Sequence, residues 1–112
     1  MSEGEWYDLE EIDAESVEFP VATTVAGEDA VIFQNGDDYY GVQRLCPHQD
    51  ADFASRGKIV ANGKMIRCML HGFVFKLATG KGVNAGSQCI DVYEVQRDGP
   101  RLQARKKILE PS

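Results

Sequence analysis
No stretch of the 112 residues is apolar for long enough to cross a bilayer. The acidic opening, MSEGEWYDLEE, has the layout of neither a signal peptide nor a transit peptide. These two absences predict a soluble, cytoplasmic protein with no membrane association. Cysteine is scarce and odd in number, three in all, which argues against a disulfide framework. No basic patch interleaved with aromatics occurs, so nucleic acid is not an expected partner. Lys and Arg are missing from residues 1–18, which carry eight acids (Glu3, Glu5, Asp8, Glu10, Glu11, Asp13, Glu15 and Glu18). The other 94 residues carry ten acids against twelve bases and are close to neutral. The acidic opening reads as a solvated face, with steering toward a basic partner as the sharper alternative.

Sustained helical periodicity is also missing, which excludes a helical bundle. What is present instead is hairpin punctuation. Asn35-Gly36, Asn62-Gly63 and Asp98-Gly99 each stand between β-rich runs, and such pairs tolerate the positive φ of tight turns. FVFKLA before Thr79-Gly80 reads as another strand, and SVEFPVATTV as a strand with an edge or a break at Pro20. DLEEI suits a helical turn or a strand equally. The expectation is one all-β domain over residues 1–112 with eight to ten short strands. A domain of this size buries a limited share of its surface, and a metal centre often helps hold such a fold.

The two histidines and two of the three cysteines fall in two short segments, RLCPHQD (44–50) and IRCMLHGFVF (66–75). Each segment follows a strand and begins a loop, so Cys46, His48, Cys68 and His71 are presented by β-scaffolding. Four such ligands suit a tetrahedral zinc. Zinc fingers, however, usually pair the cysteines in one knuckle and the histidines on a helix. Here each loop supplies one thiol and one imidazole, as C-x-H and C-x2-H. That division suits two adjacent metals, one taking the thiolates and the other the imidazoles, as in a [2Fe–2S] centre with two histidine ligands.

The motif CPH…CMLHG, with 19 residues between His48 and Cys68, resembles the Rieske iron–sulfur motif. The likeness runs from about residue 6 to residue 107. It implies a β-sandwich base with a small cluster-binding subdomain formed by two loops, about residues 44–78. It implies one [2Fe–2S] cluster per chain, with Cys46 and Cys68 on the buried iron and His48 and His71 on the outer iron through Nδ1. With two thiolates and two neutral imidazoles the oxidised site is uncharged and reduction takes it only to −1. The potential is therefore higher than with four thiolates, roughly −150 to +300 mV. All ligand positions are filled by protein, which argues for electron transfer and against catalysis.

High-potential members of this family carry an extra cysteine in each loop, and a serine and a tyrosine after the histidine-glycine. The matching positions are Ala51 and Leu70, and Phe73 and Phe75. With no disulfide and no hydroxyl donors to sulfur, the reduced cluster is less stabilised. The expectation is the low end of the range, near or below about −100 mV. Around the ligands, Pro47 limits the first loop, and the Gly72 N–H is a candidate donor to sulfur. Phe53, Met69 and Leu70 are expected to form an apolar collar, and Gln49 a docking contact. Cys89 reads as a small buried strand residue, and Trp6 has no assigned role.

The size resembles the Rieske ferredoxins that serve bacterial oxygenases. CPHQD and GKGVNAGSQC look most like the ferredoxins of toluene-type di-iron aromatic or alkene monooxygenases, with those of ring-hydroxylating dioxygenases close behind. The implied partners are a flavoprotein reductase and a terminal oxygenase, met transiently by a monomer. A small Rieske-like subunit of nitrite reductase and a zinc-stabilised interaction module are the competing readings.

Overall fold
The computed structural model describes residues 5–47, 51–70, 72–84 and 88–107. Nine strands and one short helix follow in chain order. The strands are β1 (Tyr7–Asp13), β2 (Val21–Val25), β3 (Glu28–Asn35), β4 (Asp38–Gln43), β5 (Gly57–Val60), β6 (Met65–Cys68), β7 (Val74–Lys76), β8 (Val92–Asp98) and β9 (Arg101–Lys106). The helix α1 (Phe53–Arg56) lies between β4 and β5. The all-β expectation holds, and DLEEI is strand. Among the described residues no helix is long and apolar enough to cross a membrane.

The strands form two antiparallel sheets, a six-stranded one in the order β1-β9-β8-β4-β3-β2 and a three-stranded one in the order β5-β6-β7. The larger sheet curves; β4 and β8 are joined at two residue pairs, Gly41↔Tyr93 and Val42↔Val92. Its two edge strands come back into contact, and the Thr23 hydroxyl donates to the Glu11 carboxylate across the seam. That hydrogen bond holds the Glu11 carboxyl below the usual carboxylate range.

β3 explains how both faces of the large sheet find partners. Its central run, Ala30-Val31-Ile32-Phe33, is buried throughout, as expected of a strand covered on both faces. Ala30 and Ile32 pack inside the bend with Leu9, Ile12, Val25, Tyr93, Leu102 and Ala104. Val31 and Phe33 point the other way. They join Val42, Ile66, Phe75, Ile90 and Val92 in a second core beneath the small sheet. Alternation in the small sheet follows from its register, with Ile59↔Ile66↔Phe75 turned inward and Lys58↔Arg67↔Val74 outward.

The hairpins sit one residue further along than the dipeptides suggested. Asn35 is the last paired residue of its strand, so the tight loop is Gly36-Asp37, with Gly36 at φ +64°. Asp98 pairs with Arg101, so Gly99-Pro100 turns the β8–β9 hairpin. Asn62-Gly63 sits in a longer loop, closed by the pair Val60↔Met65. A further hairpin, β2–β3, turns at Ala26-Gly27 and has no Asn or Asp to signal it. The run SVEFPVATTV is strand only from Val21 onward, after Pro20.

Gly41 marks the bend. A Cβ there would lie 2.9 Å from Tyr93 Cβ and 3.3 Å from Val95 Cγ2. Gly41→Ala is expected to destabilise the fold by about 1–3 kcal/mol through overpacking. The measurement is a lowered urea midpoint with an unchanged slope.

Candidate metal centre
The two thiols expected to bind metal are both only 1% exposed, and they lie in the same core beneath the small sheet. Cys46 follows β4 on the first loop, and Cys68 is the last residue of β6. His48 and Gln49, on the first loop, and His71, on the second, lie outside the described residues.

The base of the first loop is fixed from both sides. Phe53 N–H donates to the Arg44 carbonyl (2.8 Å), and Cys46 N–H donates to the Ala51 carbonyl (2.8 Å). Asp52 stands where these strands of backbone meet. Its Oδ2 accepts from Arg44 Nε and Nη2 (3.1 and 3.0 Å), and its Oδ1 accepts from the Ala54 N–H (2.8 Å), capping α1. The Arg44 guanidinium thereby holds the Asp52 carboxyl below the usual range, and the Ala54 N–H adds to this against the opposing effect of burial.

The second loop is equally closed. Cys68 N–H donates to the Phe73 carbonyl, and Gly72 N–H donates back to the Cys68 carbonyl, both at 2.7 Å. Met69 N–H donates to the Arg56 carbonyl at 2.7 Å, tying this loop to the helix of the other. Gly72 is at φ +77°, and the Arg67 guanidinium lies against its α-carbon, with Nη2 3.3 Å from where a Cβ would sit. The positive φ favours glycine there.

The segment after β7 reaches both loops. The Asn84 carboxamide bridges the backbone on either side of Phe73: Nδ2 donates to the Gly72 carbonyl (3.1 Å), and Oδ1 accepts from Val74 N–H (2.8 Å). Gln88 Nε2 donates to the Pro47 carbonyl in the first loop (3.5 Å). GKGVNAGSQC drew attention only by resemblance; the residues that matter in it, Asn84 and Gln88, carry no ligand chemistry that a motif would flag.

Three expectations are corrected by these positions. The Gly72 N–H is committed to the Cys68 carbonyl, because the turn after Cys68 needs that bond, so it is not aimed at a sulfur. Phe53 is fully buried in the core, edge-on to Phe75 at 6.4 Å, and belongs to no surface collar. Met69 and Leu70 are exposed as expected, joined by Leu45, which the motif reading passed over. Cys89 is exposed, held only in an isolated bridge with Lys81, so it is not a core residue. Elsewhere, Phe73 is half-buried against the core and Phe75 fully buried, Pro47 is half-buried, and Trp6 stacks under the Arg105 guanidinium at 4.2 Å.

Two buried thiols, Cys46 and Cys68, with their backbone N–H groups already paired, fit a [2Fe–2S] cluster, to which they would supply the thiolate ligands. Asn84→Ala removes both partners of the Gly72–Val74 segment. The loss should loosen that loop by about 1–2 kcal/mol and make the visible absorption bleach several-fold faster on mild heating.

A family model described as the Rieske [2Fe-2S] domain matches residues 5–94. The ferredoxin of carbazole 1,9a-dioxygenase from Nocardioides aromaticivorans IC177 superposes with a TM-score of 0.64 at 25% identity, covering 88% of this chain and 92% of that one. A protein described as the small subunit of an NADH-dependent nitrite reductase from Mycobacterium tuberculosis superposes with a TM-score of 0.73, covering 93% of this chain and 96% of that one; at 18% identity this shows the fold alone. Cholesterol 7-desaturase of Hemicentrotus pulcherrimus is 30% identical over 86 residues, 77% of this chain, which spans only 16% of that relative's length. With buried Cys46 and Cys68 beneath two closed loops and a family match over most of its length, the chain belongs to the Rieske [2Fe–2S] domain family and is an electron carrier binding one [2Fe–2S] cluster.

Proposed function
We propose that Cys46, His48, Cys68 and His71 hold the cluster, and that the protein carries single electrons from an NAD(P)H-dependent flavoprotein reductase to a terminal oxygenase acting on aromatic or alkene substrates. The observation that carries this reading is the pair of thiols, both 1% exposed, in one core under hydrogen-bonded loops. With four protein ligands the cluster supplies reversible one-electron chemistry and leaves no coordination position for a substrate. The chain's own contribution is to hold the loops rigid, exclude water from the thiols and present an apolar edge of Leu45, Met69 and Leu70 beside them.

The oxygenase partner is supported by the likeness to the carbazole dioxygenase ferredoxin, extending over most of both chains. Within that class the di-iron monooxygenase is favoured by CPHQD and GKGVNAGSQC. A ring-hydroxylating dioxygenase is the second reading, favoured by the 25% identity to the carbazole protein. The nitrite reductase reading has only a shared fold behind it. Reconstitution with purified reductase and each oxygenase type, following NADH oxidation coupled to product, tests the choice. Turnover with neither would defeat the oxygenase reading.

Low potential follows from the side chains around the second loop. Phe73 and Phe75 have no hydroxyl, Ala51 and Leu70 no thiol, and Gly72 N–H is engaged with Cys68. A reductive titration followed by EPR should give a low-average-g signal near or below about −100 mV. Phe73→Ser should shift it upward by adding a donor. A wild-type midpoint well above zero would refute the argument from missing hydrogen bonds.

A further inference from the structure
The net charge of −6 conceals a sharp segregation. From Phe53 to Ile90 the chain has six bases (Arg56, Lys58, Lys64, Arg67, Lys76 and Lys81) and no acid. The rest of the chain holds the other six bases and all eighteen acids. The segment that builds the small sheet and the second ligand loop is therefore strongly cationic, while the body is strongly anionic. The acidic opening was only the more visible half of this pattern.

The two groups of bases are also treated differently. In the body, Arg44, Arg97, Arg101, Arg105 and Lys106 each make an ion pair, with Asp52, Glu15, Asp8, Glu94, and Glu28 and Asp91 respectively. On the small sheet and its borders, Arg56, Lys58, Lys64, Arg67 and Lys76 are exposed, and none makes an ion pair among the described residues. Lys58 and Arg67 stand directly opposite each other across β5 and β6 on the outward face. Like charges so placed repel, and a carboxylate at either position would serve the isolated fold better. Arg67 immediately precedes Cys68, and its guanidinium covers Gly72, so this charge lies beside the second ligand loop. Exposed Met69 and Leu70 continue the same edge.

We propose that the outer face of the β5–β6–β7 sheet, centred on Lys58 and Arg67 and bordered by Met69 and Leu70, docks a redox partner through a carboxylate-rich surface. The proposal rests on the electron-carrier reading and adds the partner's chemistry to it. The anionic body would orient the approach, turning the cationic face toward a carboxylate-rich partner.

The test uses the cluster-loaded protein and small redox probes in place of the partner. Wild-type protein is first reduced and its EPR signal recorded. Its oxidation by the anionic iron(III)–EDTA complex is then followed by stopped flow as salt is raised from about 10 mM to about 150 mM, over which the Debye length shrinks from about 30 to about 8 Å. A local cationic face predicts that the rate falls several-fold. The net charge of −6 alone predicts that it rises. Lys58→Glu with Arg67→Glu should abolish or reverse the fall with the EPR signal unchanged, whereas Glu10→Lys in the body should leave it intact. A rate that rises with salt in the wild type, or an unaltered fall in the double variant, would overturn the proposal while leaving the carrier reading in place. No EPR signal in iron-replete protein would overturn the carrier reading and the docking proposal with it. A low-salt dimer in sedimentation, abolished by Arg67→Glu, would assign the face to a second copy and overturn the acidic partner.

Discussion
Two loops can present a thiol and an imidazole each only if their own backbone polar groups are already satisfied. An unpaired amide or carbonyl beside a buried sulfur would draw in water or pull the loop into another shape. Among the described residues this requirement is met at both thiols. Cys46 and Cys68 both donate their N–H groups within their loops, Gly72 closes on Cys68, and Asn84 supplies the last donor and acceptor around Phe73. The small sheet, the one-turn helix and the segment after β7 are arranged around this condition. The large sheet supplies the wall they pack on, through Val31, Phe33 and Val42.

The same economy separates the tasks of the two cores. One lies inside the bend of the large sheet and contains no cysteine. The other holds both candidate cluster thiols, Cys46 and Cys68, among Phe53, Ile66 and Phe75. Strand β3 contributes to both by alternation, with Ala30 and Ile32 in one core and Val31 and Phe33 in the other.

Much of this was legible in the residues. The positive-φ demands of Gly36 and Gly99 located hairpins to within a residue, and the scarcity of cysteine and histidine made their two clusters conspicuous. What could not be read was non-local. Asn84 looks like any loop asparagine until folding brings it to Gly72, twelve residues earlier. Phe53 looked like part of a surface collar because it follows the ligand loop, yet α1 turns it into the core. Cys89 was misplaced for the opposite reason: its neighbours Ile90 and Val92 are buried, but the chain there forms a single bridge rather than a strand. The hairpin at Ala26-Gly27 escaped because its first turn residue is an alanine held at φ +53°, a conformation its side chain does not advertise.

The border strand β1 has a further consequence. Its far side faces β2 across the seam with no backbone pairing among the described residues, and β1 carries the carboxylates Asp8, Glu10, Glu11 and Asp13. A strand edge left without backbone pairing is a template on which another chain can add. Two copies meeting along β1 would have to stack rows of carboxylates about 4.8 Å apart, and that like-charge repulsion opposes growth by edge addition.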